Sequence, residues 1–257
     1  MQADLMDALP NLEIIASFGV GYDNIDTKAA KARNIRVTNT PDVLNDAVAE
    51  LTIGLMIALA RRIPRADQYV RRGKWPSASM PLFSELTGKT LGILGLGRIG
   101  KEIASRACAM KMRVVYHGRH RQLSEPHIYY DNLVDMARDS DWLVIIAPGG
   151  KGTERIVSRD VLTALGPKGM LVNVARGTLV DEPAMLELLQ NGGSGGAALD
   201  VFENEPQVPQ AFLTLDNVVL SPHRGSATVQ TRDAMGAMLV ANLEAHFAGE
   251  PLLSRVV

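Results

Sequence analysis

Three segments in the second half of the chain each set an ionisable side chain just past a short apolar run. They are Val172-Asn-Val-Ala-Arg176-Gly-Thr-Leu-Val-Asp-Glu182, Ala198-Leu-Asp200-Val-Phe-Glu-Asn-Glu205-Pro206 and Leu220-Ser-Pro-His223-Arg-Gly-Ser226. Sites in open α/β sheets are built at such strand ends. Taken singly, each residue also suits an ordinary surface role: Arg176 an ion pair, Glu205 a solvated turn, His223 a loop imidazole. Together they suit one reaction, the reduction of a ketone that sits beside a carboxylate. Arg176 would hydrogen-bond the carbonyl and carboxylate oxygens and polarise the carbonyl as charge develops on it. His223 would give the proton, as the side chain whose unperturbed pKa lies nearest neutrality. Glu205 would accept from the other imidazole nitrogen and stabilise the imidazolium.

Such a reaction also needs a hydride donor, and a nucleotide site lies upstream. Thr90-Leu-Gly-Ile-Leu-Gly95-Leu-Gly97-Arg98-Ile99-Gly100 reads as a strand running into G-x-G-x-x-G and then a helix. Gly95 permits the tight turn, Gly97 lets backbone approach a pyrophosphate, and Gly100 lets helix and strand pack closely. The helix N-terminus adds free N–H groups for the phosphates. An NAD-specific site carries an acid roughly 20 residues further on; here the chain reads Val115-Tyr-His-Gly118-Arg119-His120-Arg121, with no acid. Gly118 takes that place and Arg119, with His120 or Arg121 near, suits a 2′-phosphate. NADP(H) is therefore the preferred cofactor, with NAD(H) as the alternative and solvated loop residues as the bland reading.

These residues must be positioned by a sheet. Apolar and β-branched runs at Leu12–Phe18, Ile35–Thr38, Thr90–Leu94, Arg113–Tyr116, Trp142–Ala147, Met170–Val174, Ala197–Val201 and Val218–Ser221 alternate with helical patterns such as Asp46–Arg72, Gly100–Met110 and Glu182–Gln190. That rhythm predicts an α/β fold with a doubly wound parallel sheet of Rossmann type. Gly192-Gly-Ser-Gly-Gly196 predicts a helix C-cap and a tight turn rather than a linker. Trp142 reads as core; Trp75 reads as the end of the long helix, a candidate border of the substrate.

With 257 residues, 46% of them apolar and a net charge of -1, the chain can bury a substantial core and shows no basic footprint for nucleic acid. The lone Cys108 excludes an internal disulfide and reads as a small buried apolar residue without a role. No secretory pattern opens the chain and no apolar stretch reaches bilayer length, so a cytoplasmic protein without membrane contact is expected.

At the glycine loop and the three polar segments, the chain resembles the D-isomer-specific 2-hydroxyacid dehydrogenases, from about Asn11 to the C-terminus, and within them the glyoxylate/hydroxypyruvate and hydroxyphenylpyruvate reductases. The resemblance implies the roles given above for Arg176, Glu205 and His223. It also implies that Ser17-Phe-Gly-Val20-Gly21-Tyr-Asp23 is the substrate loop, with the Val20 and Gly21 amides receiving the carboxylate. The glycines there would equally suit an anion nest or an ordinary turn. Arg98, Ile99, Pro148, Thr153 and Asp200 match cofactor-side positions of the family, Asp200 near the nicotinamide carboxamide. Val43–Leu51 matches the start of a helix in the family's dimer interface, which implies a homodimer.

On this resemblance residues 42–223 form the nucleotide domain, and residues 1–41 with 224–257 form a smaller, flavodoxin-like substrate domain. The family's opening strand-helix-strand should precede Asn11, where only ten residues stand, so that domain is expected to be N-terminally truncated. Ser194 replaces a usual aliphatic residue. A dinucleotide-sensing binding protein on the same fold is the reading from another class.

Overall fold

Residues 1–257 are all described by the computed structural model, in which the chain forms two compact units: Met1–Ala47 with Ser226–Val257, and Val48–Gly225. The first unit opens with helix α1 (Ala3–Asp7), strand β1 (Ile14–Ala16), helix α2 (Thr27–Ala32) and strand β2 (Arg36–Thr38). Asp26 caps α2 by accepting the Ala29 N–H at 2.9 Å, which satisfies one of the helix's orphan donors. β1 and β2 pair in parallel, Ile15 opposite Val37, and the C-terminal tail adds to the far side of β2, where the Val256 N–H donates to Val37 O at 2.8 Å. Met6, Ile25, Ala30, Ile35 and Val37 form the core of this unit.

One continuous helix was expected over Asp46–Arg72, but two occur, α3 (Asn45–Ala60) and α4 (Ile63–Arg71). Arg62 takes the left-handed conformation at φ 50°, with Pro64 in the first turn that follows. Proline cannot donate to Ala60 and its ring collides with that carbonyl, so the helix must restart.

The second unit continues with β3 (Thr90–Leu94), α5 (Arg98–Ala109), β4 (Arg113–His117), β5 (Ile128–Tyr129), α6 (Leu133–Arg138), β6 (Trp142–Ile145), α7 (Arg159–Leu165), β7 (Met170–Asn173), α8 (Glu182–Asn191), β8 (Gly196–Leu199) and β9 (Val218–Leu220). Seven strands make one sheet in the order β5-β4-β3-β6-β7-β8-β9, and every pairing is parallel. The order reverses direction between β3 and β6, the point at which a doubly wound sheet opens a crevice. Leu143, Val144 and Ile145 are each 0% exposed; since successive strand residues face opposite ways, both faces of the sheet are covered. Trp142 is core, as expected, at 2% exposure. β5 was not foreseen, because two residues carry no readable period. Gly192 caps α8 in the left-handed conformation at φ 80°, as its position predicts.

Cys108 corrects an expectation, for it is exposed. The buried face of α5 is Gly100, Ile103, Ala104 and Ala107. Cys108 turns about 40° past Ala104, beyond that stripe. The chain then returns to the first unit as α9 (Val229–Ala248), capped by Thr228, whose side chain accepts the Thr231 N–H. No helix of the chain is long and apolar enough to cross a membrane.

Candidate active site

In the larger unit, β3 delivers the glycine loop. Gly95 has φ +101°, and a Cβ there would lie 2.8 Å from the Ala147 backbone on β6's continuation. A Cβ on Gly100 would run into the Gly95 carbonyl oxygen, whereas one on Gly97 would meet nothing within 4 Å. Two of the glycines thus pack the turn, and the third borders open space. Gly97 is the N-cap of α5 and offers no side-chain cap, so the leading N–H groups at Arg98, Ile99 and Gly100 face the loop without one. That combination, an open approach over an uncapped twelve-residue helix, fits a dinucleotide pyrophosphate.

At the end of β4, Gly118 borders open space and its carbonyl accepts from the Tyr129 hydroxyl at 3.1 Å. Arg119, His120 and Arg121 are exposed, and no carboxylate pairs with Arg119. Gln122 escapes the sequence reading. Its Nε2 donates to Leu96 O at 2.7 Å, inside the glycine loop, while its N–H donates to the Tyr116 hydroxyl at 2.7 Å. The basic segment is thereby tied to the glycine loop. Thr153 and Pro148 come together after β6, the Thr153 hydroxyl donating to Pro148 O at 2.8 Å.

Three strand-end loops carry the polar triad. At the end of β7, Asn173 is 1% exposed; its Nδ2 donates to Arg176 O at 2.9 Å and its Oδ1 accepts the Ala175 N–H at 3.1 Å. This holds Arg176 in extended backbone, with Nη1 donating to Ala175 O at 2.7 Å. A polar residue closing an otherwise apolar, buried strand was the available signal for Asn173. Gly177 is required by proximity, since a Cβ there would strike the Phe202 and Glu203 backbone.

Past β8, Asp200 is 1% exposed and clamps the next loop. Its Oδ1 accepts the Ser221 hydroxyl at 2.5 Å and the Arg224 N–H at 2.7 Å, and its Oδ2 accepts the Gly225 N–H at 2.8 Å. The His223 N–H donates to Asp200 O at 2.8 Å, with His223 held at φ 53°. Glu205 Oε2 lies 2.7 Å from His223 Nδ1, and Oε1 accepts the Phe202 N–H at 3.0 Å. The imidazole is about half exposed, at 51%, and is anchored at Nδ1. Glu182, at the start of α8, steadies this loop by accepting the Glu203 N–H at 3.1 Å; burial pushes its carboxyl above the usual carboxylate range, against that hydrogen bond.

In the smaller unit the Ser17–Tyr22 loop leaves β1. Gly19 O accepts the Thr40 N–H at 2.9 Å, and Val20 O accepts Asn39 Nδ2 at 2.9 Å. The carbonyls are therefore engaged, while the Val20 and Gly21 N–H groups meet no protein acceptor. Trp75 lies past α4 and is 67% exposed.

A glycine loop running into an uncapped helix, a fixed guanidinium and an anchored imidazole on one parallel sheet invite comparison with known proteins. A model of the D-isomer specific 2-hydroxyacid dehydrogenase NAD binding domain matches residues 53–225. The chain belongs to that family. It is 50% identical over 255 residues to the hydroxyphenylpyruvate reductase of Plectranthus scutellarioides, and 51% identical to a glyoxylate/hydroxypyruvate reductase A of Arabidopsis thaliana; both alignments cover 99% of this chain and 82% of the relative. Among solved structures, the NADPH-dependent glyoxylate/hydroxypyruvate reductase of Sinorhizobium meliloti in complex with NADP and malonate superposes with a TM-score of 0.97 at 49% identity, covering 100% of this chain and 81% of that one. The nucleotide domain of this dehydrogenase family thus accounts for the larger unit.

Proposed function

We propose that this protein reduces small 2-keto acids (glyoxylate, hydroxypyruvate or hydroxyphenylpyruvate) to D-2-hydroxy acids, with NADPH preferred as donor. The observation that carries the reading is the His223–Glu205 pair at 2.7 Å, which anchors Nδ1 of a half-exposed imidazole. The names of the relatives support the substrate class, and Arg119, exposed with no carboxylate beside it, supports the choice of cofactor.

When bound, a reduced nicotinamide cofactor would supply the hydride. Gly95, Gly97, Arg98, Ile99 and Gly100 would receive the pyrophosphate, Gly118 and Arg119 the adenosine ribose and its 2′-phosphate, and Pro148 and Thr153 would border the cofactor from the loop after β6. Asp200 is assigned a cofactor-side place by resemblance; its three hydrogen bonds to the Ser221–Gly225 segment support an additional role in holding His223. Val20 and Gly21 hold the substrate carboxylate through their amides. Arg176 hydrogen-bonds the carboxylate and the keto oxygen, drawing electron density from the carbon that is to be reduced. His223 passes its Nε2 proton to that oxygen as the alkoxide forms, and Glu205 keeps the ring oriented through Nδ1.

The same reading makes the working form a cytoplasmic homodimer built at the start of α3, supported by the family-like Val43–Leu51 segment; sedimentation of the purified chain tests it. Replacement of His223 by Ala tests the mechanism. Turnover should fall by about 100-fold or more, the scale of general acid catalysis, with NADPH binding kept; near-normal turnover would remove the histidine from the chemistry.

A further inference from the structure

The substrate loop of the smaller unit has a cation against it that the mechanism leaves unused. The Arg232 guanidinium lies 5.3 Å from the centroid of the Phe18 ring, within the reach of a cation–π contact. Phe18 is 46% exposed, and it stands two residues before Val20, so at most about 7 Å of chain separates their Cα atoms.

Helix stability does not account for this arginine. Arg232 is the fourth residue of α9, close to the N-terminal end, where a positive charge opposes the helix dipole. No carboxylate lies within ion-pair distance to offset it, and the side chain is exposed. What the guanidinium does touch is the loop whose carbonyls are engaged and whose Val20 and Gly21 amides are left open. Those two amides provide partial positive charge, and an uncompensated full charge held against Phe18 of the same loop adds to the same potential.

We propose that Arg232 is a positioning residue of the keto-acid site: it clamps the Phe18 side of the carboxylate loop and supplies positive potential for the arriving carboxylate. This rests on the reading of Val20 and Gly21 as the carboxylate receptors. It predicts an effect on keto-acid binding that leaves the hydride and proton steps alone.

The test is steady-state reduction of glyoxylate by the full chain at saturating NADPH, together with inhibition by oxalate, a dicarboxylate that cannot be reduced. In Arg232→Gln, the glyoxylate KM and the oxalate inhibition constant should rise about 5-fold, while kcat and the NADPH KM stay within about twofold. Arg232→Lys, which keeps the charge, should recover most of the loss. Raising NaCl from about 0.05 to about 0.5 M should raise the glyoxylate KM more in the parent protein than in Arg232→Gln, because screening removes what the variant already lacks. A merely structural arginine would leave that salt difference at zero.

Val20→Pro, which deletes one loop amide, separates the two layers of the argument. If it raises the glyoxylate KM and Arg232→Gln does not, the loop binds carboxylate and the proposal for Arg232 is overturned. If neither variant moves the KM, the carboxylate reading of the loop falls and takes the proposal with it. A loss in Arg232→Gln that appears equally in kcat and the NADPH KM also overturns it, since that is the mark of general unfolding.

Discussion

Glu205 reaches in two directions at once: Oε2 lies 2.7 Å from His223 Nδ1, and Oε1 accepts the Phe202 N–H at 3.0 Å from its own loop. The carboxylate is thus held by backbone before it holds the imidazole. Glu205→Gln can still bond either partner but carries no charge and can present an amide donor to Nδ1, which disfavours the imidazolium and leaves a neutral ring that is a far weaker acid. We expect kcat to fall by about 10- to 100-fold with the keto-acid KM little changed; stopped-flow single turnovers check it.

Asp200 stands one step behind. Replacing it by Ala strands the Ser221 hydroxyl and the N–H groups of Arg224 and Gly225, two of which donate to one oxygen. Hydrogen bonds to a charged group are worth about 1.5–3 kcal/mol each, so Asp200→Ala should lose about 3 kcal/mol or more of stability in urea unfolding. Unchanged stability would mean that the 221–225 loop is held elsewhere.

Cofactor choice is predicted to rest on Arg119. One charge-assisted contact corresponds to about 1.5–3 kcal/mol, so Arg119→Ala should lower kcat/KM for NADPH by about 10- to 100-fold and leave NADH nearly untouched. An equal loss for both cofactors would place Arg119 outside the 2′-phosphate site.

Glu182 gives a pH signature. Burial raises its carboxyl pKa in the folded state. A raised folded value means that the native state holds the proton more tightly, so this group's contribution is most favourable at acid pH and is lost as pH rises through the folded pKa. Glu182→Gln removes the ionisation but keeps an acceptor for the Glu203 N–H. Its unfolding free energy should therefore gain on the parent's as pH climbs from 4 to 8, and a gap independent of pH would contradict the burial argument.

Much of the nucleotide unit was legible in the sequence because its signals are local. β3 occupies Thr90–Leu94 as read, and Gly95, Gly97 and Gly100 meet the packing that their spacing implies. The polar residues of the proposed site drew notice because each follows an apolar strand. What was not legible depends on contacts between distant segments. Gln122 binds Leu96 across 26 residues, and Asp200 gathers three donors from 21 to 25 residues away. The break at Arg62 was readable in principle from Pro64, but the long apolar run before it masked it. Cys108 shows the same limit in one dimension: composition favours burial, while its angular position on α5 decides for exposure.

The most direct measurement is the loss of reduced-nicotinamide absorbance when the purified chain meets NADPH or NADH with glyoxylate, hydroxypyruvate or 4-hydroxyphenylpyruvate, run beside His223→Ala. The account predicts keto-acid-dependent oxidation, faster with NADPH than with NADH, that the His223 replacement nearly abolishes. Cofactor binding without oxidation of either nucleotide, or oxidation that survives the loss of His223, would contradict it.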